Sequence, residues 1–188
     1  MWLKTRVFSW MTALLHFDKL LQIPFVLLAE LTGISYRQII ESFCEAPKNN
    51  FPLIAQIRNH FCSRAEIIQN GGPEYYYSKE WLDIWWPDDE YQLIRLSVEG
   101  QLGAFYEESQ KLLEALLKKT KNHGSVALVA ESVKINHALL KQPQLFDDLE
   151  IESEYNILEI YNQVLKGQPS SLKRIKSTYQ ISRSTQTW

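Results

Sequence analysis

The chain has 188 residues, 45% of them hydrophobic and 22% charged, with a formal net charge of −2. That is enough for one domain with a real core or at most two small ones, and it excludes wholesale disorder. Charge is unevenly laid out: residues 71–115 hold ten acidic and three basic side chains, whereas residues 166–188 hold five basic and no acidic ones. An acidic middle and a basic tail can pair with each other or with separate partners.

Apolar positions at helical spacing (Val7, Trp10, Met11, Leu14, Leu15, Leu21) predict a helix over residues 2–22 that Pro24 ends or kinks. The N-terminus mixes charges with its apolar residues and shows no small-residue cleavage site, so it does not read as a signal peptide. The apolar run 20–31 is too short to span a bilayer, and His16, Asp18 and Lys19 block its extension; a short buried helix over 25–31, stopped near Gly33, is expected. Ser35 followed by Gln38 forms a capping-box signature for a helix over 36–46, ended by Pro47. Residues 51–69 give an amphipathic helix with Ile54, Ile57, Phe61, Ala65 and Ile68 on one face, and Asn70-Gly71-Gly72-Pro73 stops it.

Residues 71–91 then pack four tyrosines and three tryptophans into a short crossover. Trp81 and Trp85 fall four apart, the spacing at which two side chains on a short helix share one buried face. On that reading Trp86 points away toward a partner. Pro87-Asp88-Asp89-Glu90 opens a helix to about Glu99, with acids where a helix N-terminus favours them. Further helices are predicted over 102–121, from Gly124-Ser125 to Lys141, and over 153–166. In the tail, Ile175, Tyr179 and Ile181 alternate with polar residues as in a single strand, which would need a partner that the pattern does not supply. The expected fold is mainly α: an irregular multi-helix bundle over 1–167 with an aromatic-rich crossover, followed by a basic tail over 168–188.

No complete catalytic or metal motif accompanies this frame. Cys44 and Cys62, the only cysteines, are too few for a disulfide scaffold or an iron–sulfur cluster, and a reduced, cytoplasmic chain is expected. His60 and Cys62 sit two apart on a predicted helix and face differently, while His16, His123 and His137 are scattered. No Gly-rich loop follows a strand, so no nucleotide site is expected. Ala29, Gly33 and Ile39 match the spacing of a helix-turn-helix, but the would-be recognition helix carries Arg37 against Glu41 and Glu45, where phosphate contact demands positive charge. Nucleic acid is therefore not an expected partner. Tyr75, Trp81, Trp85 and Trp86 are the candidate substrate or partner contacts, since Trp and Tyr combine large contact area with one polar handle.

The segment "GGPEYYYSKEWLDIWWPDDEYQLIRL" resembles one near the C-terminal end of cobalamin-binding radical S-adenosylmethionine (radical SAM) proteins. "MTALLHFDKLLQIPFVLLAELTGISYRQIIESF" is similar to the helical region after their catalytic barrel. "LEIESEYNILEIYNQVLKG" and "TYQISRSTQTW" resemble the approach to their C-terminus. The family's Cys-x3-Cys-x2-Cys triplet, its Asp-x-His-x2-Gly cobalamin signature and its strand–helix barrel repeat do not occur here. What the resemblance implies is an accessory helical region, either a fragment or a separately encoded piece. It would have no catalysis of its own and would help a radical SAM barrel, in cis or in trans, to close its active site or recognise substrate. The iron–sulfur cluster, S-adenosylmethionine and cobalamin are implied for the parent family only. The rival class is a standalone helical interaction module.

Overall fold

Prolines and glycines punctuate the chain much as the sequence predicts, and the computed structural model, which describes residues 1–120, 126–140, 142, 145 and 147–183, is mainly helical. Eight α-helices and two two-stranded sheets occur among the described residues. The chain divides into two compact units, one formed by Met1–Asp18 and Arg37–Leu112, the other by Lys19–Tyr36 and Leu113–Trp188.

In the first unit, α1 (Trp2–Thr12) runs into a π-helical turn at Ala13–Phe17. The helix expected over 2–22 therefore breaks at Asp18, and Lys19 takes a φ of 65°. Helix α3 (Tyr36–Cys44) ends two residues short of the expected boundary and buries Ile39, Ile40 and Phe43. Helix α4 (Pro52–Gln69) begins on proline, whose missing N–H costs nothing in a first turn. Its next donors, the N–H groups of Leu53 and Ile54, point at the Glu108 carboxylate at 3.0 Å, an N-terminal cap supplied from 54 residues away. At the other end, the N–H groups of Gly72 and Gly71 close back on the carbonyls of Ile67 and Ile68, at 2.9 and 3.0 Å. Gly71 has a φ of 85°, the left-handed geometry that such a helix stop requires. Trp10 of α1 packs on Phe61 of α4 with centroids 5.7 Å apart, and the Arg6 guanidinium lies 4.3 Å over the indole.

Helix α5 (Asp88–Val98) follows Pro87, and α6 (Leu102–Thr120) follows Gly100, where φ is 66°. Between the π-helical turn and the start of α5, Asp18 meets the carboxylates of Asp89 and Glu90. Burial first, then repulsion from those two neighbours, pushes Asp18 up to about 7.

The second unit contains α2 (Gln22–Thr32), α7 (Val126–Leu139) and α8 (Ile157–Leu165). Pro24 lies inside the first turn of α2 instead of ending a helix, because first-turn N–H groups have no intrahelical partner to lose. Gly33, with a φ of 71°, ends α2 as expected. Buried Asn136 of α7 donates to the carbonyls of Lys19 and Leu20 at 2.9 and 2.7 Å and accepts from the Ile23 N–H at 2.9 Å. One amide side chain thus satisfies the irregular approach to α2. The expected helix start at Gly124-Ser125 and its end at Lys141 lie outside the described residues.

The tail strand has its partner. Strand β4 (Ser177–Ile181) pairs antiparallel with β3 (Leu149–Ser153), Ile151 opposite Tyr179. The predicted helix over 153–166 starts only at Ile157, because the alternating Leu149-Glu-Ile-Glu-Ser run is a strand with its acids outward. Acids of this strand and just beyond it meet the basic tail locally: Lys176 lies 3.0 Å from Glu152, and Arg174 lies 3.6 Å from Glu154. Residues 168–183 are thereby tied to the second unit, and residues 184–188 lie outside the described ones.

The raised Asp18 makes stability pH-dependent with a definite sign. Its folded value exceeds the unfolded one, so between about pH 4 and pH 7 the native state holds a proton that the unfolded chain has lost, and stability falls as pH rises through that window. Asp18→Asn should remove that fall and leave the variant more stable than the parent at pH 8, measured by urea denaturation at a series of pH values. Parallel profiles for the two proteins would show that Asp18 is not held in this environment.

Candidate functional site: an aromatic hairpin on a buried ionic anchor

The aromatic crossover is a β-hairpin, not a short helix. Strand β1 (Tyr76–Ser78) pairs antiparallel with β2 (Ile84–Trp86), placing Tyr76 opposite Trp86 and Tyr77 opposite Trp85. Aromatic and β-branched residues suit such strands, and at this length strand chemistry overrides the four-residue tryptophan spacing. The five-residue connection turns through Leu82 and Asp83, with φ of 63° and 58°. Ser78, buried, accepts from the Trp81 N–H at 3.2 Å, and the Trp86 indole N–H donates to the Trp81 carbonyl at 3.0 Å.

This geometry corrects the expected roles of the tryptophans. Trp81 is half-buried in the turn and does not share a helical face with Trp85. Trp85 is 55% exposed, whereas Trp86, expected to face a partner, is half-buried and hydrogen-bonded. Tyr75 is exposed just before β1, with its carbonyl taken up by Arg64. Tyr77, 45% exposed, stands beside Trp85 with ring centroids 5.2 Å apart at an interplanar angle of 50°, and its hydroxyl donates to the Asp83 carboxylate. Leu82 is 78% exposed at the tip. The hairpin's outer face therefore carries Tyr77, Trp85 and Asp83 together.

Beneath the hairpin lies a cluster that the sequence reasoning missed. The Arg64 Nε–H of α4 donates to Asp88 Oδ1 at 2.9 Å, and His60 Nε2 lies 3.0 Å from the same oxygen. The Arg64 terminal nitrogen donates to the carbonyls of Pro73 and Tyr75, each at 3.0 Å. Arg64 and Asp88 are both buried. One guanidinium thus ties the entry of the hairpin to the first residue of the helix that leaves it. Tyr76 and Tyr91 roof the cluster, with centroids 4.2 Å apart, and the His60 ring stacks 5.5 Å from Tyr91. Burial first, then a hydrogen bond with Tyr76, pushes the Tyr91 phenol up to about 12. The signal available in the sequence was His60 and Arg64 one helical turn apart, on the same face of α4, with an acid opening the next helix.

Buried charge clusters also occur at active sites; in this one the guanidinium is bonded within the fold. The Arg64 contacts named here go to Asp88 and to hairpin backbone, and no three His, Cys, Asp or Glu side chains converge as a metal would require among the described residues. Burial raises Cys44 to about 12 and raises Cys62 as well, which favours the protonated thiol. His123 lies outside the described residues. In the helix-turn-helix candidate, Arg37 pairs with Glu41 at 2.8 Å and Ile39 is buried. No single helix among the described residues is long and apolar enough to cross a membrane.

Against protein-family models, curated proteins and solved structures, the chain finds no match.

The exposures make a prediction opposite to the helical reading. Trp85→Ala should change stability by less than about 0.5 kcal/mol, as surface substitutions do. Trp86→Ala should cost about 2 kcal/mol, through lost packing and an orphaned Trp81 carbonyl. Urea denaturation of both variants decides it, and an equal or larger loss for Trp85→Ala would contradict the hairpin.

Proposed function

We propose that this chain is an accessory helical region without catalysis of its own, and that it docks onto a catalytic partner through the aromatic hairpin. The supporting observation is the outer face of β1 and β2, where Tyr77 and Trp85 stand exposed on strands that a buried ion pair holds in place. Scattered exposed apolar residues are ordinary, but Tyr75, Tyr77, Leu82, Ile84 and Trp85 fall within one short hairpin segment. Tyr and Trp are also the residue types that dominate binding energy at interfaces.

The resemblance of residues 71–96 to cobalamin-binding radical SAM proteins makes the catalytic barrel of such an enzyme the proposed partner, in cis or in trans. The cluster, S-adenosylmethionine and cobalamin would belong to that partner and supply radical alkylation or rearrangement chemistry. The chain's own contribution would be to cover the active site or contact substrate with the hairpin.

The test is co-purification of the tagged 188-residue chain from its native cells, alongside Trp85→Ala and Tyr77→Ala, with recovered proteins identified by mass spectrometry. The proposal expects a protein carrying a Cys-x3-Cys-x2-Cys triplet, recovered about tenfold less with Trp85→Ala while the variant stays folded. A partner without that triplet, lost equally with Trp85→Ala, would replace the radical enzyme with the standalone interaction module. Undiminished recovery with both variants would refute docking through the hairpin.

A further inference from the structure

The outer face of the hairpin is not only aromatic. Residues 71–91 contain six acidic side chains and one basic one, Lys79. Asp88 is buried in its ion pair, and Glu74 pairs with Arg6. Glu80 and Asp83 remain exposed at the hairpin turn. Asp83 stands at the edge of the ring pair, because the Tyr77 hydroxyl donates to it, and Tyr77 in turn lies 5.2 Å from Trp85. A carboxylate thus borders two half-exposed aromatic rings on a rigidly anchored strand pair.

We propose that this face recognises an arginine side chain on its protein partner, an inference that rests on the docking reading above and gives the partner its chemistry. A guanidinium is planar and weakly hydrated. It stacks on an aromatic face while its N–H fork pairs with a carboxylate, which an ammonium does less well. Trp85 and Tyr77 supply the faces, and Asp83, with Glu80 nearby in the turn, supplies the countercharge. The acidic surroundings favour a basic partner and disfavour an acidic one. A purely apolar partner would leave the Asp83 carboxylate desolvated beside the rings without a donor for its remaining lone pairs, a costly arrangement.

The test uses the full chain and three fluorescent peptides of equal length, alternating glycine with arginine, lysine or glutamate, followed by anisotropy at low and high salt. The arginine peptide should bind saturably, more tightly than the lysine peptide, and should weaken as salt rises from about 50 to 500 mM. Trp85→Ala, which leaves the charge untouched, should weaken it about tenfold, and so should Asp83→Asn. Asparagine tolerates the positive φ at position 83 and can still accept from Tyr77, so that variant removes charge alone. Equal binding of the arginine peptide by Trp85→Ala, equal binding by Asp83→Asn, or equal affinity for the glutamate peptide would overturn the proposal.

The two readings fail separately. If Trp85→Ala loses the cellular partner while the arginine peptide never binds and Asp83→Asn keeps that partner, docking stands and the arginine partner is refuted. If the peptide binds as described but Trp85→Ala and Tyr77→Ala both keep the cellular partner, the arginine-binding face stands and the docking reading is refuted.

Discussion

The buried Arg64–Asp88 ion pair is the contact on which the hairpin depends. A two-stranded hairpin is marginal by itself in water, and this one has only three residues in each strand. Arg64 compensates by holding the carbonyls of Pro73 and Tyr75 on the entry side and Asp88 on the exit side. A buried ion pair is a poor source of net stability, because desolvating both charges costs about what their attraction returns. Its value here is positional. The same charges unpaired would be strongly unfavourable, so the hairpin has one low-energy place on α4 and α5. His60, Tyr76 and Tyr91 seal the pair from water and make a loosened hairpin costlier still.

With its base fixed, the hairpin can afford an outer face that contributes little to folding. Tyr77 and Trp85 support each other across the strands, yet both remain about half exposed. Leu82 and Asp83 adopt positive φ in the turn, a conformation that non-glycine residues occupy at some cost. Apolar area exposed on a constrained scaffold is the arrangement of a preorganised binding element, for which little side-chain entropy remains to be lost on association. The same residues offer no nucleophile with an activating base, and the one histidine in the cluster is stacked and held by Asp88. What the outer face offers is exposed aromatic area on a fixed base.

The helical part of this structure was legible in the sequence because its signals are local. The Asn70-Gly71-Gly72-Pro73 stop and the Gly33 end each act through their own backbone, and both boundaries fall where the residues place them. The hairpin was not legible. Trp81 and Trp85 satisfy a helical spacing by coincidence, and runs as short as Tyr-Tyr-Ser and Ile-Trp-Trp carry too few positions to separate a period of 2 from one of 3.6. Strand β3 was hidden likewise, since Leu149-Glu-Ile-Glu-Ser gains its identity from β4, which begins 24 residues after β3 ends. The anchoring cluster left only a faint trace, the His60–Arg64 spacing on α4 and an acid opening α5. Arg64 meets Asp88 across 24 residues of chain, and no local signal pairs the two. Of the candidate contacts, Trp85 and Tyr75 prove exposed, Trp81 and Trp86 half-buried, and Tyr77, absent from the set, completes the outer face.

The central claim is that the ion pair holds the hairpin in place while the helices stand without it. Native-state hydrogen exchange on the doubly substituted Arg64→Met/Asp88→Asn chain, which leaves no buried charge behind, tests this most directly. The account predicts that the backbone N–H groups of β1 and β2 lose protection by about tenfold or more, whereas those of Ile57 and Phe61 in α4 keep theirs. Hairpin protection equal to that of the parent chain would contradict it.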